Sequence, residues 1–108
     1  MQLKNVMTDR VTTVNPDSTV NDAAKVMKDL NVGAVPVCQG SKPVGIITDR
    51  DIALRNVADG GDGKTQVQQI MTNNLVYGTP DMNIDDAADL MAEHQIRRLP
   101  IIDNGDLV

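Results

Sequence analysis

The chain has 108 residues, 15 acidic against 10 basic side chains, a formal net charge of −5 and a single aromatic residue, Tyr77. That surplus of carboxylates excludes a general nucleic-acid surface, which rests on many Lys and Arg contacts to phosphate, and no apolar run reaches the length of a membrane span. One cysteine, Cys38, cannot form an internal disulfide, and polar residues follow Met1 where a secretion signal would be apolar, so a cytoplasmic protein of one compact module is expected, with a core of Val, Ile, Leu, Met and Ala.

In chain order, Met7-Thr8 returns as Met71-Thr72, Pro16-Asp17 as Pro80-Asp81, Asp22-Ala23-Ala24 as Asp86-Ala87-Ala88, Met27 as Met91 and Pro36 as Pro100, always 64 residues on. A register kept without a gap over this distance marks an internal duplication. Each copy begins with a short apolar strand, at 11–14 and 75–77, and a Pro-Asp turn. A helix follows behind a polar cap with an acid three positions later, Thr19/Asp22 or Asn83/Asp86. Helical spacing puts Val20, Ala23, Ala24, Met27 and Leu30 on one core face, and Ile84, Ala87, Ala88 and Met91 on the other.

Next comes a strand containing proline, AVPVC at 34–38 or RLPII at 98–102. Proline lacks an N–H, so each strand belongs at a sheet edge or has its proline near its start. The first copy continues through KPVGIIT into a helix near 49–57. These features divide the chain into a first repeat at 1–58, a Gly-rich linker at 59–66 and a second repeat at 67–108. By the repeat, a strand and helix matching 45–57 are expected to follow Val108, so the second repeat is incomplete at its C-terminus.

The stretch GIITDRD, 45–51, admits two readings. Thr48 and Asp51 form a helix cap, or they hold a ribose, because a carboxylate is acceptor-only and its two oxygens can each take a proton from one of two vicinal hydroxyls. This chain uses the same cap shape at Thr19/Asp22, so the pattern alone does not choose. Tyr77 is either a base-stacking face or an edge-strand residue with its hydroxyl in water. His94 has no Cys or His at ligand spacing, Met27 and Met91 sit on apolar faces, and Cys38 has no neighbouring base, so no metal site and no nucleophile are expected. GGDG lacks the Lys-Ser/Thr of a phosphate loop.

The tandem of AVPV, GIITDRD, RRLPIID and two Met-Thr starts resembles a CBS-domain pair, or Bateman module, over essentially the whole chain. The resemblance implies an α+β fold of tandem β-α-β-β-α repeats related by a pseudo-twofold axis, with clefts that bind adenosine compounds. AMP, ADP, ATP, NAD and S-adenosylmethionine are the candidates, with no cofactor required and no catalysis. It favours the clamp reading of Thr48 and Asp51 and puts Ala34, Val35, Pro36 and Val37 on the base. It brings Arg97 or Arg98 near phosphate, with a solvated charge pair as the alternative; adjacent strand residues face opposite ways, so at most one enters the cleft. It also implies a homodimer. The rival class is a ligand-free oligomerisation module.

Overall fold

The computed structural model describes residues 1–5, 12–73, 76–94, 96 and 99–108. The chain forms two compact units, Thr12–Leu75 and Met1–Val11 with Val76–Val108, so the residues that open the chain pack with the second copy of the repeat.

In the first unit, helix α1 (Val20–Leu30) starts at Thr19, whose hydroxyl accepts from the Asp22 amide at 3.1 Å while the Asp22 carboxylate accepts from the Thr19 amide at 3.1 Å. These bonds hold the Asp22 carboxyl below its usual pKa, the backbone bond contributing most. The helix ends at Asn31 in the left-handed region, φ 54°, a conformation that Asn tolerates better than most residues. Strands β1 (Ala34–Gln39) and β2 (Lys42–Thr48) form an antiparallel hairpin turned at Gly40, φ 61°. Helix α2 (Asp49–Ile52) follows and continues through a π-helical turn, Ala53–Val57, closed by the Ala58 amide on the Ala53 carbonyl at 2.9 Å.

The strand expected at 11–14 is reduced, among described residues, to one parallel bridge of Val14 to Val37. Pro36 accepts from the Val14 amide at 3.1 Å, so its own nitrogen faces that single bridge and not the β1–β2 ladder. Its missing donor therefore costs no bond of the hairpin.

The linker folds back onto the first unit. Asn56, which is buried, donates to the Asp62 carbonyl at 3.1 Å, and the Val20 amide reaches the Thr65 carbonyl at 2.8 Å. A 3-10 turn, Val67–Gln69, then docks on the residues before α1, its Val67 and Gln68 amides donating to Ser18 and Pro16 carbonyls at 2.8 and 3.1 Å. Val67 is fully buried in a core with Val14, Val20, Ala23, Met27, Val35, Val37, Ile47 and Ile70, worth roughly 1.5–3 kcal/mol for such a side chain.

The second unit repeats this joint with the opposite ends of the chain. The 3-10 turn Leu3–Asn5 places Leu3 and Lys4 amides on the Met82 and Pro80 carbonyls at 2.9 and 2.8 Å, and the Ile84 amide at the head of helix α3 (Ile84–His94) reaches Met1 at 2.9 Å. Asn83 caps this helix through the Asp85 amide at 2.8 Å, one position earlier than Thr19 caps its own. Strands β3 (Ile102–Asp103) and β4 (Asp106–Leu107) pair, and Gly78 bridges Ile101 as Val14 bridges Val37. Among the described residues the second proline strand is thus shorter than expected, and the bridge falls at Gly78, just after the expected 75–77, of which residue 75 lies outside the described residues. Leu3, Ala87 and Ile101 form the core.

Three residues assigned to the helical core faces lie outside them. Leu30 is 51% and Ile84 37% exposed, and Ala88 is exposed. Leu30 is the last residue of α1, past the turns that meet the sheet. On α3 only Ala87 is fully buried, in the small core with Leu3 and Ile101.

Gly45 shows how closely the Met71-Thr72 segment lies on β2. Ile46 and Thr72 exchange backbone bonds of 2.9 and 2.8 Å, and a Cβ at Gly45 would stand 2.7 Å from the Thr72 carbonyl oxygen. Gly45→Ala is therefore expected to lower stability by about 1–3 kcal/mol, measured by urea unfolding, by forcing that backbone off the strand.

Candidate functional site

Alternation along the hairpin sorts the sequence-predicted residues into two groups. Val35 and Val37 point into the core and are fully enclosed. Ala34 and Pro36 lie on the other face, partly exposed, directly opposite Thr48 and Ile46 in the β1–β2 register. Ala34, Pro36, Ile46 and Thr48 thus share one open, largely aliphatic surface. Ile46 is the member that the motif reading missed, and register alone identifies it.

At the end of this face, β2 runs into α2 with no intervening loop. The Thr48 hydroxyl accepts from the Asp51 amide at 3.0 Å, and the Asp51 carboxylate accepts from the Thr48 amide at 3.1 Å. The cap is therefore formed. It does not exhaust Asp51, which is only 7% exposed. The Thr72 hydroxyl donates to it at 3.3 Å from both oxygens, and Arg55 Nε stands 3.8 Å from Oδ1. Arg55 also donates from Nη1 to the Ile70 and Met71 carbonyls at 3.3 and 3.4 Å. Neither Arg55 nor Thr72 was a candidate from sequence. Thr72 belongs to the repeated Met-Thr pair, but nothing local to it signals a carboxylate 21 residues away.

Asp51 is thus a buried carboxylate held by an amide, a hydroxyl and a half-exposed guanidinium. Burial of such a charge is tolerated only where its oxygens are satisfied. A carboxylate takes about four hydrogen bonds, so Asp51 retains acceptor capacity beyond these partners.

The other candidates are separate from this cluster or outside the described residues. Arg97 and Arg98 lie outside them. Tyr77 is 48% exposed and sits in the second unit, beside the Gly78 bridge. Cys38 is buried on β1, next to a bulge after Val37, and burial pushes its thiol above the ordinary value of 9.0, the opposite of what a nucleophile needs. Among the described residues no group of three or more His, Cys, Asp or Glu is placed to hold a metal, and no helix is long and apolar enough to cross a membrane.

Comparison with known proteins identifies the family. The family described as the CBS domain matches residues 3–56 and again 67–108. The chain belongs to the CBS-domain family. The CBS domain-containing protein YhcV of Bacillus subtilis is 52% identical over 106 residues, spanning 98% of this chain and 76% of YhcV. The crystal structure of Hypoxic Response Protein I with two coordinated zinc ions superimposes with a TM-score of 0.89 at 31% identity, covering all of this chain and 89% of that one. The CBS-domain pair of protein MJ0100, in complex with 5′-methylthioadenosine and S-adenosyl-L-methionine, does so with a TM-score of 0.85 at 28% identity, covering 100% and 85%. The two family matches correspond to the two copies of the duplication.

The cap and the tie to Thr72 give Asp51 a structural role in the free chain. Thr48→Ala is expected to cost about 1 kcal/mol of stability. Asp51→Asn is expected to cost about 1–3 kcal/mol, because its amide end cannot accept at both positions. Both are read from chemical denaturation without any added compound; an Asp51→Asn chain as stable as the unaltered one would mean that the carboxylate is not needed by the fold.

Proposed function

We propose that the chain is a regulatory module that binds an adenosine compound and catalyses no reaction. The observation that carries this reading is the pairing of an open aliphatic hairpin face, Ala34, Pro36, Ile46 and Thr48, with a buried carboxylate at its end. A purine laid on that face removes apolar surface from water without an aromatic partner. Asp51 then accepts from the ribose hydroxyls, with Thr48 beside it, and Arg97 or Arg98 meets a phosphate if the ligand has one. Tyr77, the one aromatic residue of the chain, is the proposed stacking face for the base. The likeness to the MJ0100 domain pair, whose complex contains two adenosine compounds, supports the ligand class. AMP, ADP, ATP, NAD and S-adenosylmethionine remain the candidates within it.

The ligand regulates only in so far as it binds one arrangement of the chain better than another. Calorimetry with the five candidates is expected to find at least one that binds, and to find its 2′-deoxy counterpart weaker by about tenfold, the loss of one hydrogen bond to a charged group. No binding by any of them would overturn the reading.

A second copy of the chain is the proposed partner. Leu54 and Val57, on the π-helical turn, are 50% and 66% exposed, and these neighbouring apolar side chains are the surface that such an interface would cover. This also favours the second reading, a module that associates without any ligand. Sedimentation at tens of micromolar, a range in which a standard-size interface of about 1,600 Å² holds, is expected to show a dimer, and a monomer alone would contradict it.

A further inference from the structure

Asp51 has one partner whose geometry differs from that of a cap. The Thr72 hydroxyl stands at the same distance, 3.3 Å, from both carboxylate oxygens. It has a single proton, so the bond is shared between two acceptors, and it is long for O–H···O, which favours about 2.7–2.8 Å. Oδ2 also accepts from the Thr48 amide at 3.1 Å and Oδ1 faces Arg55 Nε at 3.8 Å, and beyond these the two oxygens share this one weak donor. A vicinal diol would bring two donors to the same pair of atoms.

We propose that Thr72 is a built-in competitor for the ligand's ribose. Its hydroxyl occupies the Asp51 oxygens in the free chain and gives them up when the diol binds. This deepens the adenosine reading and rests on it. The Thr72 backbone is fixed on Ile46 by bonds of 2.8 and 2.9 Å, so the hydroxyl leaves either by rotating about χ1 or by moving the whole segment off β2. The second route is linked to Arg55, whose guanidinium faces Asp51 at 3.8 Å and holds the Ile70 and Met71 carbonyls. An event at the carboxylate is therefore transmitted to the backbone of residues 70–72, from which the chain runs on into the second unit. By linkage, whatever the ligand takes from this tie the tie takes from the affinity of the ligand. Thr72 is thus a positioning residue that sets both the affinity and the signal.

The test compares ribonucleotide binding by the unaltered chain, Thr72→Val, which keeps the shape and loses the donor, and Thr72→Ser, which keeps the donor. Thr72→Val is expected to bind the ribonucleotide about 3–10-fold more tightly, as removal of a weak competing hydrogen bond requires. Thr72→Ser should match the unaltered chain. A 2′,3′-dideoxynucleotide, which does not need the carboxylate, should not distinguish the three. Equal or weaker binding by Thr72→Val, or the same gain with the dideoxy compound, would overturn the competitor while leaving the adenosine reading in place. Failure of every chain, the unaltered one included, to bind any adenosine compound would overturn both. Should Thr72→Val not fold, χ1 couplings of Thr72 and hydrogen-exchange protection of the Ile46 and Thr72 amides in the unaltered chain decide the question: one or the other should change with the ribonucleotide and neither with the dideoxynucleotide, and couplings and protection both unchanged in the ribonucleotide complex would overturn the proposal.

Discussion

The amide of Val67 on the Ser18 carbonyl and the amide of Leu3 on the Met82 carbonyl are one joint made twice, 64 residues apart. Each copy of the repeat leaves the residues before its helix with free backbone carbonyls, and in each unit the opening turn of the other copy satisfies them. Val67 and Leu3 then plug the two cores. The first unit takes in the opening turn of the second copy, and the second unit is built from both ends of the sequence, so a cut in the linker would leave the first unit without Val67 and Ile70. Contacts this distant in sequence must wait for much of the chain to be ordered, which couples the folding of the two copies.

The Thr72 segment extends the same joint in the first unit. It crosses β2 at Ile46, where only a glycine at position 45 leaves room for its carbonyl, and ends beneath Asp51. The carboxylate is consequently shared between two duties. It caps the start of α2 and pins a strand-like segment from the second copy, and it is also an acceptor at the end of the open hairpin face. A group that served only the fold would be saturated by short bonds; one that served only a ligand would leave a bare buried charge. The long, shared contact with Thr72 is intermediate, and such sites, where local satisfaction is incomplete, are where function is expected.

The parts of this arrangement that are local in sequence were legible there. Thr19/Asp22 and Thr48/Asp51 both form the caps that their spacing announces, and the AVPVC and KPVGIIT runs form the hairpin. Leu30 and Ile84 illustrate where periodicity fails: it gives the face of a helix, but exposure depends on what covers that face, and at these positions little does. The assignment of four consecutive residues, Ala34 to Val37, to one cleft overlooked that strand residues alternate. Only the register with β2 shows that Ala34 and Pro36 share the open side with Thr48. Arg55 and Thr72 were invisible because their role comes from contacts that close over a chain reversal, which no spacing rule encodes. The two arginines at 97 and 98, on which the phosphate contact depends, lie outside the described residues.

The central claim is that the Asp51 carboxylate changes partners when the ligand arrives. The carboxyl carbon resonance of Asp51, followed by NMR during titration with the adenosine ribonucleotide that binds best, reports those partners directly. The account predicts that this resonance moves in step with saturation and stays in place with the 2′,3′-dideoxy counterpart. A resonance unmoved at saturation, while those of Ala34 and Ile46 shift, would contradict it and leave Asp51 with the fold alone.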